Sequence, residues 1–245
     1  MITRKFFFAL TLNLCVTSTQ AASTYDVTEV TNGGSISGRV LFQGKDPDPV
    51  AYKITQDSAV CGTGKRLIDY VKVNHGGLAD VVVYLEKVPA GKPFDKNIRD
   101  REIDQVNCEF LPFLQIVANE DSLKIKNSDS ILHNVHAYEI LGKRKKTLFN
   151  VSQPNIGANS KKIKLRRGKG VKIECDAHDF MFSFAFVARN PYYARVDKEG
   201  NFVIENIPPG IYSIRTFHGT LKDRKAKIEV EAGKRNNINF TIEGR

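Results

Sequence analysis

The chain is 245 residues long and carries 37 basic against 27 acidic side chains, a formal charge of +10, with four cysteines, two methionines and no tryptophan. A surface of that sign favours acidic partners or anionic envelope components, and an exported chain with no recognised reader motif argues against nucleic acid. The basic residues gather in 142–146 and 161–172, runs that read equally well as solvated strand or loop faces.

At the start of the chain, Arg4 and Lys5 precede an apolar run from Phe6 to Val16 and a small-residue stretch from Thr17 to Ala22. This is the pattern of a secretory signal peptide over 1–21, and its apolar run is shorter than the roughly 20 residues that span a bilayer. Cys15 follows Leu14, where lipid attachment needs a small residue. Cleavage removes Arg4 and Lys5, lowers the formal charge from +10 to +8, and leaves a chain with no membrane span. The expected location is periplasmic or secreted. There Cys61, Cys108 and Cys175 meet an oxidising compartment. Three is an odd number, and the simplest arrangement pairs Cys61 with Cys108 and leaves Cys175 for another task. Such a bond stabilises by roughly 4 kcal/mol in the chain-entropy treatment; two buried free thiols are the alternative.

Downstream, short runs rich in Val, Ile, Tyr and Phe alternate with Gly, Pro, Asn and Asp clusters, and no long segment has helical periodicity. Strands are predicted at 35–42, 81–85, 114–117, 122–125, 133–138, 170–174, 182–188, 201–204, 212–216, 226–230 and 236–242. The fold class is all-β, and that many strands indicate two sandwich-like units. Ser35 to Phe42 with Gly44, Leu78 to Leu85, and Arg195 to Ile204 followed by Ile207-Pro-Pro-Gly210-Ile-Tyr-Ser-Ile214 resemble the two halves of a carboxypeptidase regulatory-like, transthyretin-type sandwich. The expected organisation is therefore a first part at 22–101, a separate block at 102–190 and a second part at 191–245. A linear order of two domains is the alternative.

The separate block carries the chemistry. Cys175-Asp-Ala-His178-Asp-Phe-Met181 places a thiolate, an imidazole and a thioether on one loop between two predicted strands. A blue-copper site needs one thiolate and two imidazole nitrogens in a plane, with a distant thioether on the axis. The second imidazole comes from Asn127-Ser-Asp-Ser-Ile-Leu-His133-Asn134. These segments resemble those of the cupredoxins, amicyanin and plastocyanin in particular. The resemblance implies a cupredoxin-like Greek-key sandwich, inserted in or docked on the regulatory-like one. It implies one copper ion held by His133, Cys175, His178 and Met181, and a brace from Asn134 to the cysteine loop. Once the leader is removed Met181 is the sole methionine; beside Phe180 and Phe182 it would otherwise read as a core gap-filler. Where such loops commonly carry proline, this chain has Asp176, Ala177 and Asp179, and the two carboxylates are expected to favour Cu(II).

His136, three residues along a strand from His133, should face the other way. His75 belongs to a turn, and His218, which ends a strand of the outer sandwich, is a further candidate to approach the metal from there. Phe180, Phe182, Phe184 and Phe186 form a row that either covers the site or packs as ordinary core. The function this implies is one-electron transfer with a redox protein partner whose surface is acidic. Copper storage or delivery is the alternative, as is an envelope protein that binds a carbohydrate or a protein partner, with Tyr192 and Tyr193 as stacking rings and the metal, copper or zinc, structural. No nucleophile, base and orienting group recur together, so the chain is not read as an enzyme.

Overall fold

The computed structural model describes residues 25–95 and 100–244; the segment 1–21 expected to be a signal peptide, Cys15 included, lies outside them. The described chain is all-β, and among the described residues the one α-helix is the single turn Ser58–Cys61. Among the described residues no helix is long and apolar enough to cross a membrane.

Two sheets come from the middle of the chain. In the first the order is Glu109–Leu111, Glu102–Val106, Ser122–Asn127, Gly157–Lys162; in the second it is Leu114–Ala118, Phe182–Ala188, Gly170–Glu174, His133–Leu141, Arg144–Gln153. Their facing sides alternate as half-buried strands should: Leu123 and Ile125 are buried while Ser122 and Lys124 are exposed. Ile103, Leu123 and Ile125 from the first sheet share one core with Val135, Val171, Ile173 and Ala185 from the second. Phe182–Ala188 is buried at every residue, because Ala185 and Val187 enter that core while Phe182, Phe184 and Phe186 leave on the opposite face.

Two further sheets join both ends of the chain. Val81–Glu86 lies between Tyr193–Arg195 and Gly210–His218, with Lys225–Val230 beyond; Gly34–Gln43 pairs with Asn201–Ile207, Gly77–Leu78, Arg235–Asn237 and Phe240–Glu243. Ile36, Val40, Leu78, Val83, Phe202 and Ile214 pack between them. The turn after Arg195 is tied by Asp197 Oδ1, which accepts from the backbone N–H groups of Glu199 (3.0 Å) and Asn201 (2.7 Å). Gly200 in that turn has φ +89°, and a Cβ there would meet the Val40 carbonyl oxygen at 2.4 Å, so glycine is required twice over.

A third cluster joins the two sheet pairs. Val82, Tyr84 and Tyr193 from the outer pair meet Leu114, Ile116, Phe182, Phe184 and Phe186 from the middle pair. Phe182, Phe184 and Phe186 therefore cement the junction, whereas Phe180 packs in the other core beside Cys175 and Met181, its ring centroid 5.6 Å from that of His178. Tyr192 and Tyr193 are 0% and 4% exposed, and neither offers a ring face to a sugar.

Two features differ from the sequence-based expectation. Arg144–Gln153 and Gly157–Lys162 are strands, although their run of lysine, arginine and polar residues has the look of loops. Each lies at a sheet edge, where charged side chains discourage pairing with another chain. The hairpin Val50–Lys53 with Lys65–Ile68 was assigned with the outer sandwich, yet Tyr52, Ile54, Val60, Cys61 and Ile68 pack on the core of the middle sheets. The Cys61–Cys108 bond links the connection inside that hairpin to the middle sheets.

Glu86 joins the two sheet pairs electrostatically, with Lys169 at 2.5 Å, Arg215 at 3.1 Å and Lys225 at 3.2 Å. Burial alone would raise its carboxyl. Hydrogen bonds from Lys169, Ser213 and Lys225 outweigh that and bring it from 4.5 to about 2. A group lowered on folding contributes stability above its unfolded value and loses it as pH falls through the folded one. Glu86→Gln is therefore expected to cost up to about 3 kcal/mol at neutral pH, a difference that denaturant titrations should show shrinking from pH 4.5 towards pH 2.

Candidate metal centre

Strand register assembles the site. His133 opens His133–Leu141, and Cys175 directly follows Gly170–Glu174, whose Glu174 is the antiparallel partner of His136. Glu174 also pairs with Phe182, which pinches 175–181 into a tight loop. Inside it Cys175 N–H donates to the Met181 carbonyl and Met181 N–H to the His178 carbonyl, both at 3.0 Å. Asn134 braces the loop from the neighbouring strand: its Oδ1 accepts from the Asp176 N–H at 2.6 Å and lies 3.4 Å from Cys175 Sγ.

Three donor atoms face one another. His133 Nδ1 is 3.2 Å from His178 Nδ1, and Cys175 Sγ is 3.9 Å from the first and 3.6 Å from the second. The point equidistant from the three lies about 2.1 Å from each, the length of a metal–nitrogen bond. All three residues are buried, His133 at 0%, His178 at 1% and Cys175 at 3% exposed. Met181 is buried at 1% in the same apolar cluster as Cys175.

The far edge of each imidazole meets a carboxylate. His133 Nε2 is 2.8 Å from Asp129 Oδ2, and His178 Nε2 is 3.0 Å from Asp57 Oδ2. Each contact keeps hydrogen on Nε2 and aims Nδ1 inward, the arrangement that orients metal-bound histidines. Burial acts to raise the Cys175 thiol; the imidazoles of His133 and His178 and the backbone at Asn134 and Ala177 outweigh it and bring it down from 9.0 to about 6. Bonding to that sulfur, and then to Asp57, raises His178 despite its burial. A thiolate and two imidazole nitrogens converging on one point fit a cation, whose binding is favoured by the lowered thiol.

Asp57 arrives on a cap. Residues 50–68 lie over the loop: Gln56 Nε2 donates to the Ala177 carbonyl, and Arg66 donates to the carbonyls of Cys108 (2.6 Å) and Cys61 (3.0 Å) while standing over the Phe180 ring. The Cys61–Cys108 bond fastens the cap, and both its sulfurs lie within 4.8 Å of a His178 donor nitrogen.

The other candidates lie elsewhere. His136 points to the opposite side of its strand and meets Asp176 at 3.1 Å. His75 sits in the turn between Val73–Asn74 and Gly77–Leu78. His218 is buried in the outer sheets, its Nδ1 accepting from Thr220 and Leu221 N–H. Asp176 turns outward to Asn134, Asn150 and His136, and Asp179 is exposed, so neither loop carboxylate touches a ligand. Asp129 and Asp57 do, and sequence reasoning missed both. Asp129, four residues before His133, was visible as a nearby carboxylate. Asp57 had no local signal, since only the cap brings it in.

No protein-family model matches the chain, and no curated protein matches it. Among solved structures, 36% of the chain is similar to a purple cupredoxin from Nitrosopumilus maritimus (16% identity, all of that chain, TM-score 0.31). The same share matches amicyanin from Paracoccus versutus (14%, 81% of that chain, 0.30) and auracyanin from Roseiflexus castenholzii (13%, 94% of that chain, 0.29).

Asp57→Asn keeps the shape of the brace and leaves the core intact. It is expected to weaken metal binding by about tenfold or more with little change in unfolding midpoint, as measured by competitive chelator titration and denaturation of the same sample. Loss of the clasp in Cys61→Ser/Cys108→Ser should instead lower stability by about 4 kcal/mol for its 47-residue separation.

Proposed function

We propose that the middle sheets form a cupredoxin-like unit that holds one copper ion through His133, Cys175, His178 and Met181 and passes single electrons. The observation that carries this reading is the buried triangle of two Nδ1 atoms and one sulfur with sides of 3.2, 3.6 and 3.9 Å. When bound, copper supplies a one-electron couple, and a thiolate with two imidazoles suits both of its oxidation states.

The chain's own residues keep that set still. Asp57 and Asp129 fix both rings from behind, Asn134 fixes the cysteine loop, and the cap excludes water from His178. Beside Cys175 electrons have an exposed side to use. Both imidazoles are covered, whereas Asp176, next to Cys175, has a side chain 52% exposed. Asn134 Nδ2 donates to it at 2.9 Å, His136 Nδ1 meets it at 3.1 Å, and Tyr138 Oη reaches that nitrogen at 2.7 Å. The exposed basic strand Arg144–Gln153 runs beside this patch, which suits an acidic redox partner. The outer sheets are read as a regulatory-like sandwich with no catalytic part, and the protein as a carrier and not an enzyme. The Cys61–Cys108 bond supports export to an oxidising compartment. The carboxylate-braced imidazoles also suit zinc, which makes a structural zinc site the second reading.

Loading the purified protein with copper separates the two. An intense thiolate-to-Cu(II) charge-transfer absorption in the visible, abolished in Cys175→Ser, is expected; a colourless protein that retains zinc against copper would support the structural role.

A further inference from the structure

A cleft of about 960 Å³ opens at the junction, on the side away from the metal ligands. Most of its wall comes from three places, the turn between His133–Leu141 and Arg144–Gln153, the loop before Gly170–Glu174, and the hairpin joining Gly210–His218 to Lys225–Val230; Tyr84 of Val81–Glu86 and Glu243 with Gly244 complete it. Close packing forms these walls. A Cβ on Gly170 would strike the Phe217 ring at 2.4 Å, and one on Gly219 would strike Phe184 at 2.3 Å. The loop 166–168 is held rigid because Glu139 Oε1 accepts three successive backbone N–H groups at 3.1, 2.8 and 2.6 Å.

The charge of the lining is one-sided. Lys143, Arg167, Lys169, Arg215, Lys222 and Arg224 face two carboxylates, Asp223 and Glu243. Arg215 and Arg224 pair with those two, and Lys169 pairs with Glu86. Among the described residues no carboxylate is paired with Lys143, Arg167 or Lys222.

Hydrogen bonding supplies an independent observation. Tyr84 and Arg215 are direct cross-strand partners and both line the cleft. The Tyr84 hydroxyl and Arg215 Nε are buried with no hydrogen-bond partner, and Tyr84 is only 7% exposed. Burial raises the Tyr84 phenol, so the hydroxyl keeps its proton and remains a donor. Buried donors in folded proteins are nearly always matched by acceptors. Two adjacent donors without acceptors, on the wall of a cationic cleft, lack a ligand that is rich in anionic oxygen.

We propose that this cleft binds a small multivalent oxyanion, carboxylate- or phosphate-bearing, with Tyr84 and Arg215 donating to it and Arg167 and Lys222 closing over it. The volume suits a small organic molecule, and the binding is independent of any metal at Cys175.

The test uses the full chain with two probes, benzene-1,3,5-tricarboxylate and inorganic pyrophosphate, titrated calorimetrically and by thermal unfolding at ionic strength matched with sodium chloride. At least one probe is expected to bind and to raise the unfolding temperature, and which one does so assigns the carboxylate or the phosphate. Arg167→Glu with Lys222→Glu should abolish binding while leaving the free protein's unfolding unchanged. Tyr84→Phe should also leave the free protein unchanged, because its hydroxyl has no partner there, yet weaken binding about tenfold. Cys175→Ser should bind as the parent does, which removes chelation of copper as the cause. Heats and temperature shifts equal to those of sodium chloride, or a Tyr84→Phe protein destabilised when free and unaltered in binding, would overturn the proposal.

Discussion

The candidate site in the middle sheets depends on three electron-rich atoms being held within 4 Å of one another away from water. Left to themselves, two imidazole lone pairs and a thiolate would separate or hydrate. Here each is fixed from behind: His133 by Asp129, His178 by Asp57, and Cys175 by the Asn134 contact and the loop's own hydrogen bonds. The cost of gathering the donors is met by folding, so the site exists before an ion enters it. Asp129 illustrates the economy of this, since its carboxylate also accepts the backbone N–H groups of Asn107 (2.7 Å) and Cys108 (2.8 Å). One side chain thereby ties a ligand ring to the turn that carries the clasp cysteine.

The cap changes the character of the site. A loop of seven residues between adjacent strands would leave His178 at the surface, but residues 50–68 cover it and bring in a carboxylate of their own. The ring becomes a buried, anchored group, and the Asp176 side of the cysteine becomes the exposed one. The exposure around the candidate site is thus set as much by a hairpin far upstream as by the motif itself.

How much of this the sequence disclosed depended on the range of the interactions. Strands whose pattern is set by their own side chains, such as Gly170–Glu174 and Phe182–Ala188, were legible to the residue, and of the four candidate donors His133, Cys175 and His178 are brought to one point. Edge strands were not, since Arg144–Gln153 and Gly157–Lys162 owe their conformation to a neighbour and their composition to solvent. The direction of the phenylalanine row could not be read either, because both faces of that strand are apolar and only the packing of one sheet pair on the other decides which side faces which core. Asp57 was the least visible residue of all. Its place is set by a cross-link and by packing between segments over a hundred positions apart, and nothing in its immediate neighbours marks it.

The arrangement of the outer sheets bears on the order in which the molecule comes together. Gly34–Gln43 is completed by Phe240–Glu243, and Arg39 N–H donates to an Asn239 side chain 200 residues away. The middle sheets draw all their strands from within 102–188. Pairing of such distant segments carries a larger loop-closure penalty and is correspondingly slow. As the chain emerges from its amino terminus, the central sheets have every strand they need while the outer ones still await the six described strands that follow Ala188. Folding in that order shortens the effective distance between the outer segments, so the early-formed block acts as the template on which its own surround closes.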